Sequence, residues 1–297
     1  MPSLVLPGRA VIAVTGADAE HLLHNVLTCD IETLAPGVAQ PGALLTPQGK
    51  VMFDFLVARD GDGFAIDIDG AQADAFLKRM MLYRLRSKVD FFVRDESVVA
   101  VSWDEESGAS DNDSSASHSD SSGSLRDARF AGARVWRTVM PASTNAADPA
   151  SSDAWDRLRI GNGVVESGAD FALGDVFGHD ISLDQNGGLD FIKGCYVGQE
   201  VVSRMQHRGT ARRRVVIISG DEPLPEAGSE ITAGGKPAGT LGTVAGDRAL
   251  AIVRLDRIET AQSAGAPVLA GDVAVRADLP PGVRYQWPTK DKDAGNA

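Results

Sequence analysis

Cysteine is nearly absent: Cys29 and Cys195 are the only two in 297 residues. So wide a pair provides neither a disulfide framework nor the close thiol spacing of a zinc site, and a reducing compartment is the consistent setting. Long apolar runs are missing as well. With 43% hydrophobic residues and no stretch of membrane-spanning length, the composition predicts a soluble globular protein with no membrane partner. The opening residues, Met-Pro-Ser-Leu-Val-Leu-Pro-Gly-Arg, lack both the basic-then-apolar order of a secretory signal and the Arg/Ser-rich character of a transit peptide, which predicts a cytoplasmic, bacterial location. Cations are scarce: 29 Lys and Arg stand against 41 Asp and Glu, a formal charge of -12. Phosphate-backbone contact needs a basic footprint, so nucleic acid is not an expected partner. A small anionic ligand met by local Lys or Arg stays open. The length allows two or three domains.

What is abundant is chemistry in one short stretch, residues 191–200, Phe-Ile-Lys-Gly-Cys-Tyr-Val-Gly-Gln-Glu. Gly194 and Gly198 bracket Cys195, and glycine serves where backbone takes positive φ or comes close to a ligand. Lys193 lies two positions before the thiol, and a nearby ammonium favours thiolate, the nucleophilic and metal-binding form. Gln199 and Glu200 lead into Val201-Val202, which continues as a helix with Glu200 near its positive end. The plainer reading is a glycine-rich turn around a small buried cysteine, since free cysteine is among the most buried residue types.

The remaining chain alternates strand and helix. Residues 9–14 read as a strand, and 17–27 as a helix with Leu22, Leu23, Val26 and Leu27 at helical spacing behind Asp18, a candidate cap. Cys29, at the end of that helix, reads as a small structural residue. Residues 43–45, the Pro47-Gln48-Gly49 turn and 51–58 form a hairpin, and a turn over 60–63 leads to a strand over 64–68. Residues 71–85 are the clearest amphipathic helix, expected to bury Phe76, Leu77, Met80, Met81 and Leu85. Arg84, Arg86 and Lys88 beyond it suit the negative end of its dipole, either as a solvated face or as contacts for an anionic ligand. Strands follow over 89–93 and 97–103. From 104 to 127 the composition turns to Ser, Asp, Gly and Glu, which predicts a disordered or mobile insertion, and 142–150 is a small polar loop. A strand over 134–140 and a helix over 152–160 come next. Asp175, His179, Asp180 and Asp184 lack regular ligand spacing, so no metal is predicted and loop anchoring is the preferred role, with lining of a ligand pocket second. Arg204, His207, Arg208, Arg212, Arg213 and Arg214 make a basic cluster, a solvated face or an anion-binding rim. Beyond 213, short strands separated by glycine turns predict a small β-barrel.

Residues 193–200 match, at every fixed position, the signature Lys-Gly-Cys-Tyr-x-Gly-Gln-Glu of the YgfZ family of folate-binding proteins, relatives of the glycine-cleavage T-protein (aminomethyltransferase) and of mitochondrial iron–sulfur assembly factors. Pro47-Gln48-Gly49-Lys50-Val51 followed by Asp54, and Arg159-Ile160 through Asp170-Phe171, also resemble that family's pattern. The resemblance implies an α+β fold of T-protein type, antiparallel sheets with packed helices, completed by a carboxyl-terminal β-barrel. The implied parts are an amino-terminal folate-binding region over 1–103, the insertion over 104–128, a second α+β region with the signature over 129–208, the barrel over 209–287 and a tail over 288–297.

The implied ligand is tetrahydrofolate or a derivative, and the implied role is support of iron–sulfur cluster assembly or repair, with client enzymes or assembly machinery as partners. Cys195 is then the reactive group and Lys193 the residue that lowers its pKa. Tyr196 and Gln199 fix the loop, and Glu200 is a hydrogen-bonding or proton-handling partner. Asp54 and Arg204 complete the folate-binding set. The alternative is a glycine-cleavage-type aminomethyltransferase. Its relatives carry two adjacent aspartates on a strand where this chain has Phe53 and Asp54, so the acid/base pair is incomplete. A third class, a scaffold on the same fold, would not bind folate.

Overall fold

The computed structural model describes residues 1–104, 123–144 and 150–288. They divide into two compact units, Met1–Ser152 with Asn186–Glu200, and Asp153–Gln185 with Val201–Ala297. The signature loop therefore belongs to the first unit although Asp153–Gln185 of the second precedes it in sequence.

The first unit contains, in chain order, β1 (Ser3–Leu6), β2 (Arg9–Thr15), α1 (Ala19–Val26), β3 (Val38–Leu45), β4 (Val51–Asp60), β5 (Gly63–Asp69), α2 (Gly70–Arg84), β6 (Asp90–Val93), β7 (Ser97–Trp103), β8 (Ser124–Asp127) and β9 (Val135–Pro141). These strands make one sheet in the order β1-β7-β9-β8-β3-β4-β5-β2-β6. Among the described residues every pairing in it is antiparallel except β3 with β8. The hairpins of β3 with β4 and of β4 with β5 follow from alternating apolar positions closed by turns at Gly49 and Gly61, both at positive φ.

Helices α1 and α2 cover one side of this sheet. Their Leu22, Leu23, Phe76 and Met80 pack with Ile12, Phe53, Phe55 and Ile66 in one core. Phe76 meets Phe53 and Phe55 edge-on, with ring centroids 5.6 and 5.5 Å apart. Helix α1 is shorter than the sequence predicted, and Asp18 makes no side-chain cap; its carboxylate accepts the Lys88 backbone N–H at 2.7 Å instead. In α2 the buried residues are Ala73, Phe76 and Met80, whereas Met81 and Leu85 are exposed.

Strand β8 corrects the end of the expected insertion. Residues 105–122 lie outside the described residues, but Ser124–Asp127 is a strand, because Asp127 has charged partners to bury against. Its carboxylate accepts from Arg129 at 2.8 Å and from Arg137 at 2.9 Å, and Arg137 also pairs with Asp67, which Arg9 meets at 2.6 Å. The expected polar loop is described at 142–144 and 150, with 145–149 outside the described residues, as are 289–297 of the expected tail.

The second unit contains α3 (Ser152–Asn162) from its second residue, α4 (Gln199–Arg208) from its third, β10 (Arg213–Gly220), β11 (Glu230–Ala233), β12 (Lys236–Ala245), β13 (Arg248–Arg254), α5 (Leu255–Ser263), β14 (Val268–Ala270) and β15 (Val273–Asp278). Its six strands close as β10-β13-β12-β11-β14-β15, which leaves no open edge. Leu255, Ile258 and Ala261 of α5 join the core that includes Val216, Ile231, Leu241 and Val253.

Two buried arginines organise the loops beside the barrel. Arg159 of α3, 2% exposed, meets Asp156 and Asp170 at 2.8 Å and donates to Thr243 Oγ1 at 2.8 Å. Arg214 of β10 donates to the His179 carbonyl and to Asp184, both at 2.7 Å. The basic cluster is thus not one surface: Arg214 is buried in an internal pair, while Arg204, His207 and Arg208 are exposed.

Candidate functional site

The signature loop is built from an aspartate that the sequence reading did not single out. Asp190 accepts the backbone N–H of both Ile192 and Lys193 at 2.6 Å, an Asx turn that sets the direction of the chain before the first signature residue. Its own N–H donates to the Thr28 carbonyl at 2.9 Å. Thr28 Oγ1 donates to the Gly188 carbonyl at 2.6 Å and accepts the Ala43 N–H at 2.9 Å. Thr28, fully buried, therefore joins the loop entry to β3. An Asp two and three residues before the N–H groups it accepts was the available sequence signal; nothing local marked Thr28.

Lys193 reaches toward the end of α1. Its ammonium donates to the carbonyls of Leu27 and Cys29 at 2.8 and 2.7 Å and stands 5.4 Å from the centroid of the Tyr196 ring. Carbonyls at a helix carboxyl end lack intrahelical partners, and those just past α1 draw the charge that the sequence assigned to Cys195. Burial lowers the Lys193 pKa, with nearby Cys29, Asp30 and Asp190 opposing that shift. The thiol in its field is Cys29, fully buried and pushed up to about 12 by burial, against which Lys193 is the leading counter-influence. Cys29 is a protonated packing residue at neutral pH.

Cys195 is exposed. Tyr196 behind it is buried and its hydroxyl donates to the Asp190 carbonyl at 3.3 Å; burial, then the Asp190 charge, raises its pKa. The two glycines differ. Gly198 takes φ of +81°, and a Cβ there would lie 2.6 Å from the Thr46 carbonyl oxygen, 3.1 Å from Gly49 Cα and 3.1 Å from Leu45 Cβ. At Gly194 φ is not positive and a Cβ would meet no protein atom within 4 Å.

Gln199 closes the loop, its Nε2 donating to the Gly194 carbonyl at 3.4 Å and its backbone N–H to the Tyr196 carbonyl at 3.3 Å. Glu200 is exposed in the first turn of α4, where a carboxylate suits the helix dipole. Arg204 follows four residues on and is also exposed. Lys193, Cys195, Tyr196 and Gln199 are thus gathered in one loop, and that loop lies against the Thr46–Gly49 turn. Asp54 stands on β4, the strand leaving that turn, half-buried and opposite Ala43. Strand alternation puts it on the face away from Phe53 and Phe55.

Among the described residues, no three His, Cys, Asp or Glu side chains come together as a metal-binding group. No described helix is long and apolar enough to cross a membrane.

Residues 212–285 match the family described as CAF17, C-terminal beta-barrel domain. An iron-sulfur cluster assembly factor IBA57 homolog, mitochondrial, of Chaetomium globosum is 30% identical over 240 residues, 71% of this chain and 54% of the relative. The Homo sapiens iron-sulfur cluster assembly factor IBA57, mitochondrial, is 28% identical over 321 residues, 97% of this chain and 85% of the relative. This chain is similar to mitochondrial iron–sulfur assembly factors. It spans about half the length of some of the relatives it matches, 54% and 55% for two of them, and 82% of another, from Coccidioides immitis.

The glycine cleavage system aminomethyltransferase T of Bartonella henselae superposes with a TM-score of 0.70 over 96% of this chain and 87% of its own, at 15% identity. The fold is therefore the aminomethyltransferase fold, mixed α/β with a closed six-stranded barrel, as the sequence predicted. The predicted cytoplasmic location is corrected by the same comparisons, in which the relatives are named mitochondrial. The missing signal-like pattern was not a sound guide to compartment.

Proposed function

We propose that this chain is a folate-binding accessory factor for iron–sulfur cluster assembly or repair, acting on [4Fe–4S] enzymes through Cys195. The coarser part rests on its similarity to assembly factors over up to 97% of its length. The finer part, a YgfZ-type protein with tetrahydrofolate as ligand, rests on the loop. One observation carries it: Cys195 is exposed on a loop anchored by Asp190, Lys193 and Gly198. A thiol kept only for packing belongs inside, as Cys29 is. In this reading Asp54 accepts pterin N–H groups, Arg204 meets a carboxylate of the glutamate tail, Tyr196 and Gln199 hold the loop, and Glu200 handles a proton near the thiol. Bound tetrahydrofolate would supply a reduced pterin that accepts or carries a one-carbon unit.

The likeness to an aminomethyltransferase at 15% identity concerns the fold alone. Phe53, where one aspartate of that pair belongs, is 6% exposed and packs on Phe76, so the chain offers no paired acid/base there.

The test is complementation. In a strain lacking its own factor, this chain restores the activity of a [4Fe–4S]-dependent enzyme and Cys195→Ala does not; full restoration by Cys195→Ala removes the thiol from the function. A titration with tetrahydrofolate, followed by tryptophan fluorescence, shows saturable binding weakened by Asp54→Asn. Absence of binding leaves only a scaffold on this fold.

A further inference from the structure

Helix α2 carries two apolar faces and the protein uses one. Ala73, Phe76 and Met80 are buried, while Met81, Leu82 and Leu85 are 50%, 65% and 87% exposed. Positions 78, 81 and 82 are spaced i, i+3 and i+4, so they form one stripe along the solvent side, and the exposed Leu85 follows directly after the helix. Leu85, the residue after the helix, holds φ of 46°, a left-handed backbone that a side chain resists and that buries nothing here. Around the stripe the charge reverses. The chain carries -12 overall, yet Lys78, Arg86 and Lys88 are exposed at this end, with Asp74 one turn before Lys78.

We infer that the exposed face of α2 is a docking surface for a helix of a partner protein that carries an apolar stripe flanked by acidic residues. Charge complementarity selects this occupant. A second copy of this chain would put the same cations opposite each other across a two-fold axis, which like-charge repulsion opposes. A bilayer is disfavoured because three side chains give little apolar area to insert and the other face of the helix is committed to the core. The inference is independent of the Cys195 loop and of folate.

The test uses the full chain and two labelled, hydrocarbon-stapled helical peptides with leucine at each i, i+3, i+4, i+7 position. One carries glutamate at the flanking positions and the other lysine. Fluorescence anisotropy shows saturable binding of the acidic peptide alone, weakened about tenfold or more by Leu82→Glu and by Lys78→Glu with Arg86→Glu, as loss of a central anchor does, and weakened by added salt. Circular dichroism of these surface variants matches the parent. Equal binding of both peptides, no binding, or binding unmoved by the variants overturns the proposal. Dimerisation abolished by Leu82→Glu in sedimentation, or cosedimentation with phosphatidylserine-containing vesicles abolished by it, overturns it in favour of self-association or a membrane.

Discussion

Gly198 lies against Gly49, and a Cβ on the first would come 3.1 Å from the Cα of the second and 2.6 Å from the Thr46 carbonyl oxygen. The signature loop and the Pro47-Gln48-Gly49 turn, far apart in sequence, therefore meet backbone to backbone. Gly198→Ala meets both a positive φ and a backbone contact that cannot move cheaply, which is expected to cost about 1–3 kcal/mol and to displace the loop. Gly194→Ala, in open space without positive φ, is the control and should be neutral within about 0.5 kcal/mol. Urea unfolding of the pair checks this; equal stability would place the constraint elsewhere.

Lys193→Met removes the donors of two carbonyls at the end of α1. A loss of about 1–3 kcal/mol is expected from leaving such groups unsatisfied, read as a lower urea midpoint. Alkylation of Cys195 at neutral pH should be unchanged, because the ammonium is committed to Leu27 and Cys29. A marked slowing of alkylation would restore the role that sequence proximity suggested.

That contrast shows what was legible. The barrel and the hairpins were readable because turn glycines and a two-residue alternation act over a few residues. The direction of the Lys193 ammonium was not, since its acceptors lie 166 and 164 residues away. Strand β8 was hidden for a like reason: within a Ser/Asp-rich stretch, only its pairing with Arg129 and Arg137 makes Asp127 a residue to bury. In α2 the apolar residues were visible, but with such residues on both sides of the helix the sequence could not tell which face the sheet takes.

The two thiols should separate cleanly. Cys29 is 0% exposed and pushed up to about 12 by burial, whereas Cys195 is exposed. An aromatic disulfide reagent at pH 8 should titrate one thiol per native chain and both after denaturation. Cys195→Ala should abolish the native signal. Rapid reaction of both in the native protein would contradict the burial of Cys29.

Asp127 couples stability to acid. Burial alone would raise its pKa, but Arg129 and Arg137 outweigh burial and hold the carboxylate below its ordinary value of 3.8. Below that value the unfolded chain takes up a proton that the folded chain refuses, so stability is present above about pH 4 and falls as pH drops toward the folded pKa. Asp127→Asn should flatten that fall by the contribution of one group, seen in urea midpoints between pH 5 and pH 3. Arg137→Met, which leaves Asp127 and Asp67 short of a cation, should cost about 3–5 kcal/mol at neutral pH.

Arg159 tests the second unit in the same way. Its guanidinium meets Asp170, whose side chain is 1% exposed, and Asp170 in turn accepts the N–H groups of Thr243 and Glu166 at 2.6 and 2.7 Å. A Cβ at Gly242 would lie 2.4 Å from Asp170 Oδ1, so the carboxylate is closely enclosed by the barrel strand. Neighbouring acids, led by Glu166 and Asp170, outweigh burial and raise the Arg159 pKa, which keeps it a cation at any working pH. Arg159→Met should therefore cost about 3–5 kcal/mol by stranding a buried carboxylate. Adding Asp170→Asn should recover part of the loss, because the uncompensated charge is gone, although the amide oxygen keeps only one of the two N–H groups that now bond Oδ1 and Oδ2 separately. If the double variant is no more stable than Arg159→Met, packing of the arginine stem outweighs its charge.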